Sequence, residues 1–270
     1  MIGSYGYVAT KLHKGKILMV GWGPDVLITP FKTPFHRSFI KKVLKRSARI
    51  VVDSNNMRDI LLNLGVENSK IDVFPFGPSK EWYLFPKRER ILSPLRIITH
   101  RKLEREYDPF TVLKALNLLD KRGIDFSFTF ASFGFLEQEL KQEIKKLNLE
   151  KKVRITGYQQ LSTLIKELSK ADIYVSASLS DSTSVSLLEA MALGLFPIVS
   201  DVKDNLEWIH PHKNGCIFKR GDVNGLVQCI INVLSMSEED YKKVVEYNYD
   251  IIKKIRPFEE NVLKVVEDIK

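Results

Sequence analysis

Between residues 95 and 200 the chain repeats one pattern, a short apolar run followed by a segment with helical spacing of its apolar residues. Leu95 to Thr99, Ser127 to Ala131, Val153 to Thr156, Ile173 to Ser176 and Pro197 to Ser200 read as strands. The segments between them, about 109–122, 136–147, 161–168 and 184–193, read as helices. In the first of these, Val112, Leu113, Leu116 and Leu119 share one face. Runs that are apolar throughout suit strands covered on both sides, and parallel strands need a crossover element between them. Alternation of this kind leaves few solutions, and a doubly wound α/β domain is the one that fits. An apolar helix from Leu226 to Leu234 and tail helices up to Lys270 complete this part.

The first part of the chain carries a shorter version of the same grammar. Lys16 to Val20 reads as a strand, and Gly21-Trp22-Gly23-Pro24-Asp25 as a turn. A helix over 35–47, the strand Arg49 to Val52, a helix over 56–64 ending at Gly65 and a strand from Ile71 to Phe74 follow. Residues 77–94 hold Pro78, Pro86 and Pro94 and little periodicity, so they read as a linker. The expected domains are therefore 1–90 and 91–270.

Composition narrows the class. With 44% hydrophobic and 28% charged residues, the 270-residue chain has the profile of a globular protein with a sizeable core. Cys216 and Cys229 are too few for a disulfide scaffold or a metal site and read as core residues of a cytosolic protein. No run approaches the roughly 20 apolar residues of a membrane span. The N-terminus lacks the order of a secretory signal, so the expected compartment is the cytoplasm. Residues 1–105 carry 20 Lys/Arg against 8 Asp/Glu, and residues 106–270 carry 22 against 25. Lys41, Lys42, Lys45, Arg46 and Arg49 lie with Phe39, Ile40, Val43 and Leu44 in one short stretch. That stretch suits an interfacial helix on an anionic membrane, and equally a solvated helix face. Nucleic acid is not an expected partner, because no stacking aromatics interleave with the cations. The five histidines show no metal-ligand spacing, and only His100 lies near the residues treated next.

Chemistry concentrates in the run from Ser180 to Asp201, which joins a Ser/Thr/Asp loop to an apolar helix and then to a strand. Asp181 lies in the loop and Glu189 one turn inside the helix. Ser182, Thr183 and Ser184 offer hydroxyls between them, and Val185 opens the helix. Free amides and the positive end of a helix dipole favour phosphate. A carboxylate one turn further in can accept hydrogen bonds from a sugar diol. An ordinary capping motif would use the same residue types.

Asp181-x7-Glu189, followed by Ala190-Met191-Ala192-Leu193-Gly194, resembles the signature of the retaining family-4 glycosyltransferases, which have the two-domain GT-B fold. Family members carry Glu at the first acid, where this chain has the shorter Asp181. The resemblance extends to Ser47–Ser54, Gly65-Val66, Lys70-Ile71, Pro75-Phe76-Gly77 and Asn214-Gly215. It implies a GT-B-like α/β fold of two Rossmann-like domains, the first incomplete at its start, with a last helix that crosses back to the first domain.

The same resemblance implies roles. Glu189 would hold the ribose of a nucleotide-sugar, the amides near Ser184 and Val185 the diphosphate, and Asp181 the donor sugar. Arg101 occupies the position of a family arginine that meets the diphosphate. The companion lysine is displaced, leaving Arg105 and, behind it, Lys102 as its substitutes. Gly157 and Tyr158 stand where the family contacts the nucleobase through backbone. Gly21, Trp22 and Gly23 occupy the short glycine loop on the acceptor and sugar side, with Trp22 in place of a histidine. The implied activity is transfer of a sugar, with retention, from a UDP-, GDP- or ADP-sugar co-substrate to a carbohydrate or lipid-linked acceptor. No metal or other cofactor is expected. The alternative is a non-catalytic nucleotide-sugar-binding subunit whose first domain is completed by a second chain. Localisation would be cytoplasmic, with peripheral contact to an anionic membrane.

Overall fold

The computed structural model describes residues 2–83 and 94–269. The chain divides into two compact units. One comprises Met1–Gly77, Asp181–Ser184 and Ile255–Lys270, the other Pro78–Ser180 and Val185–Lys254.

The first unit opens with helix α1 (Ser4–Leu12), strand β1 (Leu18–Val20), the short helix α2 (Gly23–Leu27) and helix α3 (Pro34–Arg46). Strand β2 (Arg49–Val52), helix α4 (Asn55–Asn63) and strand β3 (Ile71–Val73) follow. The three strands form a parallel sheet in the order β1-β2-β3. Its core packs Met19, Ile50 and Val52 of the sheet against Ile40, Val43 and Leu61 of the helices. Pro34 opens α3, where its missing N–H costs nothing, and Thr33 caps it by accepting from the His36 amide. Ser54 does the same for α4 through the amide of Met57, 3.3 Å away.

The second unit runs β4 (Leu95–Thr99), α5 (Pro109–Lys121), β5 (Phe126–Phe130), α6 (Glu137–Lys146), β6 (Val153–Ile155) and α7 (Leu161–Leu168). It continues with β7 (Ile173–Ser176), α8 (Val185–Ala192), β8 (Phe196–Ser200), β9 (Cys216–Phe218), α9 (Val223–Leu234) and α10 (Glu238–Ile252). Helix α11 (Phe258–Asp268) belongs to the first unit. The six strands are all parallel, in the order β6-β5-β4-β7-β8-β9. This is the order of a dinucleotide-type doubly wound sheet, with its reversal between β4 and β7. The α/β class expected from the alternation thus holds.

Buried polar groups fix this sheet from below. Asp172, just ahead of β7, is fully buried and accepts from the Arg96 amide at 2.9 Å and from the Arg96 guanidinium at 3.1 and 3.2 Å. The Tyr241 hydroxyl of α10 donates to the carbonyls of Asp172 and Gly194. Asn214 and Asn248, both fully buried, hydrogen-bond to each other and lock the turn ahead of β9.

Two expectations need correction. Cys216 and Cys229 are not separate core thiols: they form a disulfide between β9 and α9, with Cα atoms 5.9 Å apart. The fold, not the spacing, brings them together, because α9 packs back along the strand it follows. The argument from free cysteines to a reducing compartment falls with that pairing. The stretch 21–25 is only half a turn, since α2 begins at Gly23 with Pro24 in its first turn. The expected linker over 77–94, with Pro86, lies outside the described residues from 84 to 93.

Candidate functional site

In an open doubly wound sheet, ligands bind beyond the carboxyl ends of the strands where the order reverses. Here that point lies past Thr99 of β4 and Ser176 of β7. His100 and Arg101 follow β4 directly, and α8 begins nearby. Small hydroxyl residues line the strand ends: Ser176 Oγ lies 3.0 Å from Ser178 Oγ, and Ser200 Oγ donates to the Ser178 carbonyl at 2.6 Å.

Two sequence-predicted residues are drawn into this crevice by contacts that the sequence does not reveal. Glu189, on α8, meets Nε2 of His100 through Oε2 at 2.8 Å. The His100 side chain is 5% exposed and that of Glu189 is 16% exposed. Arg101 donates from Nη1 to Ser186 Oγ at 2.9 Å, and its guanidinium carbon lies 4.1 Å from the Tyr107 ring centroid. Ser186 Oγ is also 2.9 Å from the Tyr174 hydroxyl of β7. A guanidinium is thereby held at the second residue of α8, beside the end of the helix whose dipole favours anions. His100 is the residue whose part sequence reasoning underestimated. The only signal was its place immediately after the first strand of the sheet.

The remaining predicted residues of this unit divide. Lys102 and Arg105 are exposed, Arg105 opening a one-turn 3-10 helix that ends at Tyr107. No hydrogen bond joins either of them to Glu189 or Arg101 among the described residues. Gly157 and Tyr158 follow β6 at the carboxyl edge of the sheet. Gly157 has φ of +71°, a conformation that suits glycine, and Tyr158 is exposed with its ring 5.8 Å from that of Phe133.

Asp181 to Ser184 belong with the first unit. Thr183 Oγ1 donates to the Asp53 carbonyl at 2.6 Å, and the Thr183 amide reaches Asp53 Oδ1 at 3.4 Å. The Ser182 amide donates to Asp181 Oδ1 at 3.1 Å. Gly23 lies close against this segment, since a Cβ there would sit 3.0 Å from Ser182 Oγ. Gly21 donates to the Val51 carbonyl, and the Trp22 ring packs 4.9 Å from that of Phe76. Among the described residues, no cluster of His, Cys, Asp and Glu could hold a metal ion. No helix of the described residues is long and apolar enough to cross a membrane.

Comparison with known proteins bears on the family and the fold. Amylovoran biosynthesis glycosyltransferase AmsK of Erwinia amylovora is 28% identical over 259 residues, 90% of this chain and 62% of that protein. The putative colanic acid biosynthesis glycosyltransferase WcaL of Escherichia coli K12 is 22% identical over 256 residues, 90% of this chain and 63% of that protein. The chain therefore spans less than two thirds of the length of these relatives. Among solved structures, HepE of Anabaena in complex with UDP-glucose superposes with a TM-score of 0.80. That likeness covers 97% of this chain and 75% of HepE at 14% identity, and it establishes the fold alone. Residues 84–251 match the family described as glycosyl transferases group 1, and with more than half its length in that match the chain belongs to this family.

Proposed function

We propose that the chain binds a nucleotide-sugar beyond the carboxyl ends of β4 and β7 and transfers its sugar, with retention of configuration, to a carbohydrate or lipid-linked acceptor. The observation that carries the reading is the pairing of Glu189 with His100 beside Arg101 at the reversal point of the sheet. In this reading Glu189 accepts from the ribose hydroxyls. Arg101 and the first amides of α8, near Ser184 and Val185, meet the diphosphate, with Arg105 and Lys102 adding positive charge from the loop. Gly157 and Tyr158 border the base, and Asp181 meets the donor sugar. Trp22, between Gly21 and Gly23, offers a ring for the sugar side.

Transfer breaks the bond between the anomeric carbon and the phosphate oxygen, and the electron pair leaves with the nucleoside diphosphate. The acceptor hydroxyl oxygen bonds to the same face of the anomeric carbon, and its proton passes to the departing phosphate oxygen. This route asks for no protein base, which suits a tryptophan at position 22. Its main demand is for cations placed in advance where negative charge grows, the part this reading gives to Arg101. UDP-sugars are the first donors to test, since HepE was crystallised with UDP-glucose. The exposed Lys41, Lys42, Lys45 and Arg46 of α3 support contact with an anionic membrane, where a lipid-linked acceptor would reside.

The reading is tested by incubating the protein with UDP-, GDP- and ADP-sugars and acceptor extract. One donor should release its nucleoside diphosphate, and Asp181→Ala should lower release at least about tenfold while leaving nucleotide affinity within about threefold. Binding of a nucleotide-sugar with no release under any condition would leave only the non-catalytic subunit.

A further inference from the structure

We propose that His100 is a positioning residue of the nucleotide site. Its Nε2 proton holds one oxygen of Glu189, so that the other is presented to the ribose diol of a nucleoside diphosphate. The inference rests on the reading of Glu189 as the ribose-binding carboxylate. It adds the residue that decides whether that carboxylate is ready before the ligand arrives.

The argument begins with what faces the imidazole. Glu189 approaches from α8 at 2.8 Å. The Trp82 ring, from the 3-10 turn Lys80–Tyr83, lies nearly parallel with its centroid 6.1 Å away. The Tyr174 ring of β7 stands edge-on at 5.5 Å. A carboxylate can only accept, so Nε2 must carry the proton of the bond to Glu189. His100 Nδ1 is buried, with no hydrogen-bond partner among the described residues. The tautomer protonated at Nε2 alone therefore leaves no buried N–H unpaired, whereas a second proton on Nδ1 would. Packed against two aromatic rings and with its side chain 5% exposed, the imidazole is closely confined. Its Nε2 is the atom that meets Glu189.

The Glu189 carboxylate has no other hydrogen bond among the described residues, so its second oxygen keeps its full accepting capacity. An unrestrained glutamate would surrender rotamer freedom on binding. Here the bond to His100 already restricts that freedom in the folded protein. Both oxygens also have separate tasks, which fixes the direction from which a diol can approach. A residue without a donor at position 100 would leave the carboxylate without this bond, and the orientation for ribose would be lost.

The test is calorimetric titration of UDP, GDP and ADP, each beside its 2′-deoxy analogue, into wild type, His100→Leu, His100→Gln and Glu189→Ala. Wild type should prefer the ribonucleotide. His100→Leu should weaken it about tenfold and shrink the ribo-to-deoxy preference, the scale of one charge-assisted hydrogen bond. His100→Gln, whose amide N–H can reach the same oxygen, should keep affinity and preference within about threefold of wild type. If Glu189→Ala loses binding while His100→Leu keeps both affinity and preference, the inference is overturned and the Glu189 reading stands. It is equally overturned if His100→Leu weakens ribo and deoxy forms alike, which would mark a merely structural residue. If Glu189→Ala binds as wild type does, or wild type binds none of the three, the site reading falls and takes this inference with it. Should His100→Leu not fold, His100→Asn, polar but too short to reach, replaces it with the same outcomes.

Discussion

In the proposed reading Arg101 is the side chain that meets the diphosphate, and three contacts hold it in place. Its amide donates to Thr99 Oγ1 at 3.3 Å, its Nη1 to Ser186, and its guanidinium lies over Tyr107. A flexible cation at this position would be as positive but not as well placed. Arg101→Ala is therefore expected to weaken a nucleoside diphosphate about tenfold or more and the matching monophosphate much less. Arg101→Lys should recover only part, because an ammonium cannot lie flat on the Tyr107 ring. Competitive titration of the two nucleotides reads both effects, and an equal loss for each would remove the diphosphate from Arg101. The sequence singled out Arg101 through its resemblance to a family arginine placed after the strand Leu95–Thr99. Its contacts were not legible there, nor was the pairing of His100 with a residue 89 positions away. Such pairings depend on which strand ends the fold sets side by side.

At the level of elements, the loops after β4 and β5 are welded together. Leu103 donates to the Phe133 carbonyl at 3.0 Å, and Leu136 donates to the Leu103 carbonyl at 2.9 Å. Gly134 passes so close that a Cβ there would fall 2.4 Å from the Leu103 oxygen, which is backbone and cannot swing aside. Gly134→Ala should cost about 1–3 kcal/mol by overpacking. Thermal unfolding of the variant measures it, and an unchanged midpoint would show that the loops are not in contact. Most elements could be read from periodicity: α5, β5, α6, α7, β7 and β8 fall within about two residues of their expected ends, the ordinary scatter of helix and strand boundaries. Helix α1 and strand β9 were missed. The stretch Ser4–Leu12 holds a glycine and leaves Tyr5, Val8 and Leu12 exposed, so no clean apolar stripe marks it. Cys216–Phe218 is three residues long and becomes a strand only by pairing with β8. The disulfide was hidden for the same reason.

For the molecule as a whole, the decisive fact is strand order. Alternating strands and helices predict a parallel sheet. The reversal between β4 and β7, which turns a sheet into a site, depends on where the crossover changes side, and no periodicity records that. Once the order is known, the signature run from Ser180 to Asp201 gains a location, because α8 is the helix that follows β7. Glu189 is then the group on which the account stands. The most direct measurement is calorimetric titration of UDP into wild type and Glu189→Ala. The account predicts saturable one-to-one binding to wild type, and at least a tenfold or so loss of affinity in a variant that melts as wild type does. Equal affinity in the two proteins would contradict it.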